Sequence, residues 1–207
     1  MNSREMKKQQ DLEIKAKMRE LHDKINHDET TNTFRFDQQT GTIMGLTKKG
    51  LEMSDIIIPS AINGVKVKSI YHDAFFNNKT MKSLVIEDGI KEIGTGAFGR
   101  CTSLESVVIA GSVKCIPLFA FMGCRSIRKV EIKSGVKIIS EAAFSKCKLL
   151  SNISLPDGLT TIEKFAFAEC RSLLSINIPN SVKTIGDHAF HRSPIEGTTK
   201  FKKMMNK

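Results

Sequence analysis

The sequence predicts an α/β-type repeat solenoid: six 23-residue coils with a short parallel sheet, preceded by an N-terminal helix and a β-hairpin cap. An Ala-Phe pair recurs in steps of 23 residues, and an L-x-x-L-x-I pattern separates the pairs. The pairs occupy 74–75, 97–98, 120–121, 143–144, 166–167 and 189–190. A fixed period of this length is typical of stacked coils, because one coil cannot bury its own apolar side.

The segment between successive Ala-Phe pairs predicts one short strand per coil. The last two apolar positions of L-x-x-L-x-I lie two residues apart, so both side chains point into the same side of a strand. The residue between them must point outward, toward solvent. The copies are Met53-Ile56-Ile58, Met81-Leu84-Ile86, Leu104-Val107-Ile109, Ile127-Val130-Ile132, Leu150-Ile153-Leu155 and Leu173-Ile176-Ile178.

The Ala-Phe-x-x-Cys segment predicts a single helical or 3-10 turn on the opposite side of each coil. Its phenylalanine fills the interior, and its alanine is small where the turns stack. The cysteines at this position predict a buried column of thiols, because free cysteine behaves as a small hydrophobe and zinc sites usually show cysteines two to four residues apart. Cys115 lies outside this column and is expected to be the accessible thiol. The column consists of Cys101, Cys124, Cys147 and Cys170.

The two ends of the chain carry different patterns. Alternating stretches at 33–36 and 42–44 flank a loop with Gly41, which is typical of a hairpin that covers an exposed solenoid end. Residues 4–27 show a helical stripe, and this helix either docks on the cap or mediates dimerisation. The stripe consists of Ile14, Met18, Leu21 and Ile25. We therefore expect a charged helix over 1–29, the cap over 30–50, the repeat domain over 51–194 and a basic tail over 195–207.

The repeat resembles a known family, the BspA-type leucine-rich repeats of bacterial and protist surface proteins. The resemblance covers about residues 33–194. It rests on the Ala-Phe pair and on Ile58-Pro59, Ile93-Gly94, Ile185-Gly186, Cys101-Thr102-Ser103-Leu104 and Cys170-Arg171-Ser172-Leu173. It implies a right-handed leucine-rich-repeat superhelix and a role in protein binding or cell adhesion at a surface.

Charge and hydropathy bear on partners and location. The net charge is +10, and residues 192–207 hold five basic residues and one acidic residue, which favours acidic partners. No apolar run approaches the roughly 18 residues of a membrane span. Residues 1–19 are charged throughout and lack the apolar core of a signal peptide, so the sequence as written predicts a cytoplasmic protein, whereas the resemblance implies the cell surface.

Two motifs point to chemistry when they are taken alone. Residues 94–99 match G-x-G-x-x-G, but a dinucleotide site needs a strand before the motif and a long helix after it, and here the motif fills one repeat position. His188 and His191 have helical spacing, yet no acidic residue completes a zinc motif. We therefore expect no enzyme activity, no cofactor and no metal.

The predicted function is a non-catalytic scaffold that binds a protein through the strand face, where outward residues vary while the interior repeats. The alternative is electrostatic attachment to nucleic acid or an acidic surface through basic residues and the tail; nucleic acid is not the expected partner. Weak self-association through the helix or the last coil is a further hypothesis. The predicted face consists of Val85, Val108, Ala110, Lys129, Glu131, Lys133, Asn152, Ser154 and Asn177.

Overall fold

The structure is a computed structural model that describes residues 32–197. Residues 34–197 form strands, turns and two 3-10 helices, with no α-helix in that range, so the coils of the predicted solenoid are all-β. The helix predicted for 1–29 and most of the tail lie outside the described residues. The 3-10 helices span Gly50–Glu52 and Pro194–Gly197. The strands are β1 Phe34–Asp37, β2 Thr42–Leu46, β3 Asp55–Ile58, β4 Ala61–Ile62, β5 Val65–Lys66, β6 Ser69–Ile70, β7 Ser83–Ile86, β8 Glu92–Ile93, β9 Ser106–Ile109, β10 Cys115–Ile116, β11 Lys129–Ile132, β12 Ile138–Ile139, β13 Asn152–Ser154, β14 Thr161–Ile162 and β15 Thr184–Ile185.

The L-x-x-L-x-I segments build one parallel sheet in the order β13-β11-β9-β7-β3. Its register places equivalent positions of successive coils side by side, as Leu84, Val107 and Val130 show. Buried and half-buried residues alternate along β7, β9 and β11, which confirms the predicted strand and its inward face.

The cap hairpin and six two-residue strands close a second side of the coils, in the orders β1-β2-β6-β8 and β10-β12-β14-β15. Each two-residue strand contains the buried or half-buried isoleucine that precedes the Ala-Phe pair by four residues, such as Ile93 and Ile139. The core therefore lies between two walls of parallel strands, and the Ala-Phe turns join them.

The phenylalanines of the Ala-Phe pairs form one continuous stack through the core. Ring centroids of successive coils are 4.9 to 5.4 Å apart and the ring planes differ by 1 to 14°. At the N-terminal end the ring of Phe34 meets Phe75 edge-on, with centroids 6.4 Å apart and an interplanar angle of 78°. The cap hairpin therefore closes the stack with an edge contact, a geometry that aromatic quadrupoles favour.

The Ala-Phe turns are tight and hydrogen-bonded from coil to coil. Within one turn the N–H of Gly99 donates to the carbonyl of Gly96 at 2.7 Å, which is the i to i+3 pattern of a 3-10 turn. Between coils the N–H of Phe98 donates to the carbonyl of Ala120 at 2.9 Å. The residue before each alanine has a positive φ, 58° at Phe119 and 57° at Phe165, and this reverses the chain direction.

The ends of the solenoid differ from its middle. The predicted cap hairpin is confirmed: β1 and β2 pair antiparallel, and β2 continues in parallel onto β6. The first coil is longer than the others, and its additional residues form a second hairpin, β4–β5. The turn residues of this hairpin, Asn63 and Gly64, have φ of 51° and 75°. Positive φ at both positions is the requirement of a type I′ turn, which Asn-Gly meets.

The strand predicted for the sixth coil, Leu173-Ile176-Ile178, is wrong. Residues 173–179 form no strand, although Ile176 is buried. Within 32–197 no further coil follows, so this segment has a sheet neighbour on one side alone.

Candidate binding face

The outer surface of the five-stranded sheet, here called the strand face, consists of the outward residues of β3, β7, β9, β11 and β13. Its central row runs in register across the five strands and changes from apolar to charged to polar. Neighbouring strands lie about 4.8 Å apart, so the row is about 19 Å long. The row consists of Ile57, which is buried, and of Val85, Val108, Glu131 and Ser154, which are half-buried or exposed.

The structure brings most of the predicted face residues together. Val85 and Val108 are adjacent and half-buried, forming an apolar zone. Lys133 makes an ion pair with Glu131, and Lys129 lies on the same strand as Glu131. Exposed Asn152 and Ser154 extend the face onto β13.

Two predicted members do not belong to the strand face. Ala110 is 5% exposed, and its placement on the exposed face is wrong. Adjacent coils carry Glu87 and Lys133 at the same repeat position, and an alanine methyl group is too short to rise above such neighbours. Asn177 is exposed but lies in the sixth coil, beyond the last paired strand.

The four column cysteines are buried, as predicted, and their thiols are hydrogen-bonded. Each Sγ donates to the carbonyl of the phenylalanine one coil back; from Cys124 to Phe98 the distance is 3.0 Å. Burial raises the pKa of the Cys124 and Cys147 thiols well above the ordinary value and that of Cys170 to about 12. Protonated, buried thiols are poor nucleophiles, so the column is structural.

Cys115 differs from the column. It is half-buried on β10, and its Sγ lies 3.1 Å from the hydroxyl oxygen of Ser140 in the next coil. The five cysteines are all free thiols.

The glycines of G-x-G-x-x-G serve coil stacking. A Cβ on Gly94 would lie 2.3 Å from the backbone nitrogen of His72, so the preceding coil leaves no room for a side chain. Gly96 has a φ of 66°, the same turn conformation that Phe119 adopts one coil later. The motif therefore occupies a turn of the repeat with no helix behind it.

The two spaced histidines belong to an aromatic row. His188 stacks on Phe165 with centroids 5.5 Å apart, and His191 meets His188 at 5.3 Å edge-on. Nδ1 of His191 lies 3.9 Å from a carboxylate oxygen of Glu196. Among residues 32–197 no group of three or more His, Cys, Asp or Glu is placed to hold a metal ion.

A column of lysines, here called the lysine column, was missed in the sequence. In five coils an exposed lysine lies two residues before the isoleucine of the two-residue strand. Backbone hydrogen bonds of 2.8 Å join Lys91 to Lys68 and Lys137 to Lys114. The 23-residue period alone would have revealed it. Its members are Lys68, Lys91, Lys114, Lys137 and Lys183.

No helix in the described part of the chain is long and apolar enough to cross a membrane.

Comparison with known proteins places the fold among bacterial leucine-rich repeat structures. A protein from Eubacterium ventriosum ATCC 27560 is 22% identical, with a TM-score of 0.67 over 82% of this chain and 52% of its own. A leucine-rich cell surface protein from Faecalibacterium prausnitzii A2-165 is 32% identical, with a TM-score of 0.51 over 77% of this chain and 50% of its own. A protein from Bacteroides ovatus ATCC 8483 is 29% identical, with a TM-score of 0.52 over 77% and 49%. The chain thus spans about half the length of these proteins.

A comparison with curated proteins finds no match. The family model for the BspA-type leucine-rich repeat region matches residues 68–196 in six copies, which is more than half of the chain. The predicted resemblance is confirmed. The chain belongs to the BspA-type leucine-rich repeat family.

Proposed function

We propose that this protein is a non-catalytic scaffold that binds a protein partner through the strand face. The family is consistent with a protein-binding scaffold. The observation that supports this proposal is the central row of the strand face. The residues inside the coils repeat, whereas the outward residues of the row change from valine to glutamate to serine. Solenoid proteins ordinarily bind partners through such a surface, in which the repeated core is constant and the exposed positions vary.

The apolar zone supplies the centre of the proposed interface. Val85 and Val108 lie side by side on the strand face, and burial of such side chains by a partner would contribute the desolvation that interface centres require. The Lys133–Glu131 ion pair borders this zone. The arrangement of an apolar centre beside polar and charged side chains matches the anatomy of protein interfaces.

The test is capture of partners from a lysate of the source cells with the full chain as bait, followed by measurement of the recovered partner's affinity. Val108→Arg places a charge in the apolar zone and should weaken binding at least tenfold without lowering the melting temperature, because the side chain points outward. Asn180→Arg is the matched control, since it adds the same charge at an exposed position off the strand face. Unchanged affinity for Val108→Arg would reject the strand face as the interface.

The lysine column favours a second candidate, attachment to a polyanionic surface. Five ammonium groups lie along one side of the solenoid in a positive stripe that Thr160 interrupts, and binding of a polyanion to such a stripe weakens steeply as salt concentration rises. Retention on heparin at rising sodium chloride concentration tests it, with Lys91→Ala/Lys137→Ala eluting at lower salt. Elution of that variant together with the unmodified chain would exclude the column.

We extend the first proposal to adhesion at a cell surface. Its support is the 32% identity to a protein described as a leucine-rich cell surface protein. Labelling of intact cells with a membrane-impermeant reagent should modify the protein, and labelling after lysis alone would place it inside the cell. Light scattering at high concentration tests the separate hypothesis of weak self-association.

A further inference from the structure

A groove of about 630 Å³ lies between the cap and the first coil. One wall is the hairpin and the loop after it, with Arg35, Lys48 and Leu51, and the other is the first Ala-Phe turn, with Phe76 and Lys79. It lies on the turn side of the coil, apart from the strand face.

The polar part of the groove is cationic. Arg35, Lys48 and Lys79 line it, and among residues 32–197 no acidic residue does so. Nη2 of Arg35 donates to the carbonyl of Met44 at 3.1 Å, which positions the guanidinium and leaves its other donors for a ligand. Nζ of Lys79 donates to the carbonyl of Arg100 at 3.3 Å and to the hydroxyl of Thr102 at 3.2 Å, so two of its three protons bond to the next coil and the third remains for a ligand.

The apolar part depends on residues that depart from the repeat. Phe76 is 44% exposed and Leu51 is 50% exposed. The position of Phe76 holds Gly99, Met122, Ser145, Ala168 and His191 in the other coils, so phenylalanine occurs there in the first coil alone. A large aromatic ring thus stands exposed beside the cap, at the one coil where the cap supplies an opposite wall.

Two features keep these groups in place. A Cβ on Gly45 would lie 2.6 Å from Nη2 of Arg35, so glycine at this position leaves the space that the guanidinium occupies. The guanidinium carbon of Arg100 lies 5.7 Å from the centroid of the Phe76 ring, a cation–π contact that fixes one face of the ring.

We propose that this groove binds an acidic peptide segment of a partner protein, in which a carboxylate side chain lies next to an apolar one. Arg35, Lys48 and Lys79 receive the carboxylates, and Phe76 and Leu51 contact the apolar side chain. Charge complementarity argues for this ligand, because three cations with no acidic residue among the described lining residues attract an anion. The exposed ring selects an anion with an apolar neighbour over a small inorganic ion. The proposal is independent of the strand face.

Fluorescence anisotropy with the full chain and the labelled peptide Gly-Asp-Glu-Phe-Asp-Gly tests this proposal. We expect saturable binding that the amide peptide Gly-Asn-Gln-Phe-Asn-Gly lacks. Lys48→Glu/Lys79→Glu should weaken binding at least tenfold, and Phe76→Ala about threefold or more. Lys91→Glu/Lys183→Glu is the control with the same net charge, and both of its lysines are exposed in other coils. Circular dichroism melting verifies that each variant is folded.

Three results would overturn the proposal: equal binding of the amide peptide, equal loss in the control variant, or no saturable binding. A fourth result would assign the groove to the chain itself. Asp28 and Glu29 precede Asn32, whose carbonyl accepts a hydrogen bond from the groove residue Thr47. If Asp28→Asn/Glu29→Gln raised the affinity for the acidic peptide tenfold or more, the chain's own acidic pair would be the occupant and the partner peptide would be excluded. None of these results bears on Val108→Arg, so the two proposals fail separately.

Discussion

The phenylalanine stack predicts an unequal cost for the same substitution at two positions. Phe121 is fully buried and stacks on Phe98 and on Phe144, each at 5.2 Å with planes within 5°. Phe34 is also buried but, within residues 32–197, has one ring contact, the edge-on contact with Phe75. An aromatic pair contributes about 0.5–1.5 kcal/mol beyond the area it buries. Substitution by leucine keeps an apolar side chain and removes these pairs.

The lost ring pairs set the magnitude. Phe121→Leu removes two pairs and should lower the free energy of unfolding by about 1–3 kcal/mol, whereas Phe34→Leu removes one and should lower it by about 0.5–1.5 kcal/mol. The change of side-chain shape costs less than about 1.5 kcal/mol at either position and largely cancels in the comparison. Phe121→Ala adds a cavity and should cost about 3–5 kcal/mol.

Urea unfolding followed by far-ultraviolet circular dichroism measures these differences, provided that the slope against urea is the same for each variant. Equal losses for Phe121→Leu and Phe34→Leu would refute the reasoning, because the stacks would then contribute nothing beyond buried area. A loss at Phe121 that appears as a changed slope would mean that the coils unfold in separate groups.

The remaining predictions concern ionisable groups. Titration with a thiol reagent at pH 8 should modify one cysteine, Cys115, in the native protein and all five after denaturation, because the four column thiols are buried; a second fast-reacting thiol in the native state would contradict this. The pKa of Asp37 is held below its usual value by hydrogen bonds from the Thr40 hydroxyl and the Gln39 N–H. A lowered folded-state pKa gives stability that is present above pH 3.8 and is lost as the pH falls through the folded-state value. Asp37→Ala should therefore lower the melting temperature at pH 7 and have less effect at pH 3; an equal effect at both pH values would show that the carboxylate charge is not responsible.

The interior of the solenoid could be predicted because each interior position is repeated. The alternation of Leu84 and Ile86 and its recurrence after 23 residues indicate an inward strand face in every coil. The same period identified the cysteine column as structural. Local rules were sufficient here, because a coil contacts mainly the coil before and the coil after it.

The exterior depended on information that one repeat does not contain. The burial of Ala110 follows from the longer side chains at its position in adjacent coils, and the missing sixth strand follows from its place at the end of the array. The groove joins Arg35 and Lys48 of the cap to Phe76 and Lys79 of the first coil, and no spacing rule relates residues of these two elements. Phe76 left one trace in the sequence, a phenylalanine at a position that holds Gly, Met, Ser, Ala or His in the other coils.

The hydrogen bond of the cysteine column gives the array a direction that constrains its evolution. In each middle coil the cysteine thiol donates to a carbonyl of the coil before it. In the last coil the Ser193 hydroxyl makes the equivalent hydrogen bond at 2.7 Å. In the first coil Asn78 instead accepts a hydrogen bond from the N–H of Met81 in its own turn, also at 2.7 Å. If a gene duplication inserts a copy of a middle coil between two others, every thiol donor still has a carbonyl acceptor in the coil before it. A copy placed ahead of the first coil would present its thiol to the cap hairpin. Lineages with longer arrays should therefore have grown by insertion inside the array, with the Asn-type coil remaining first.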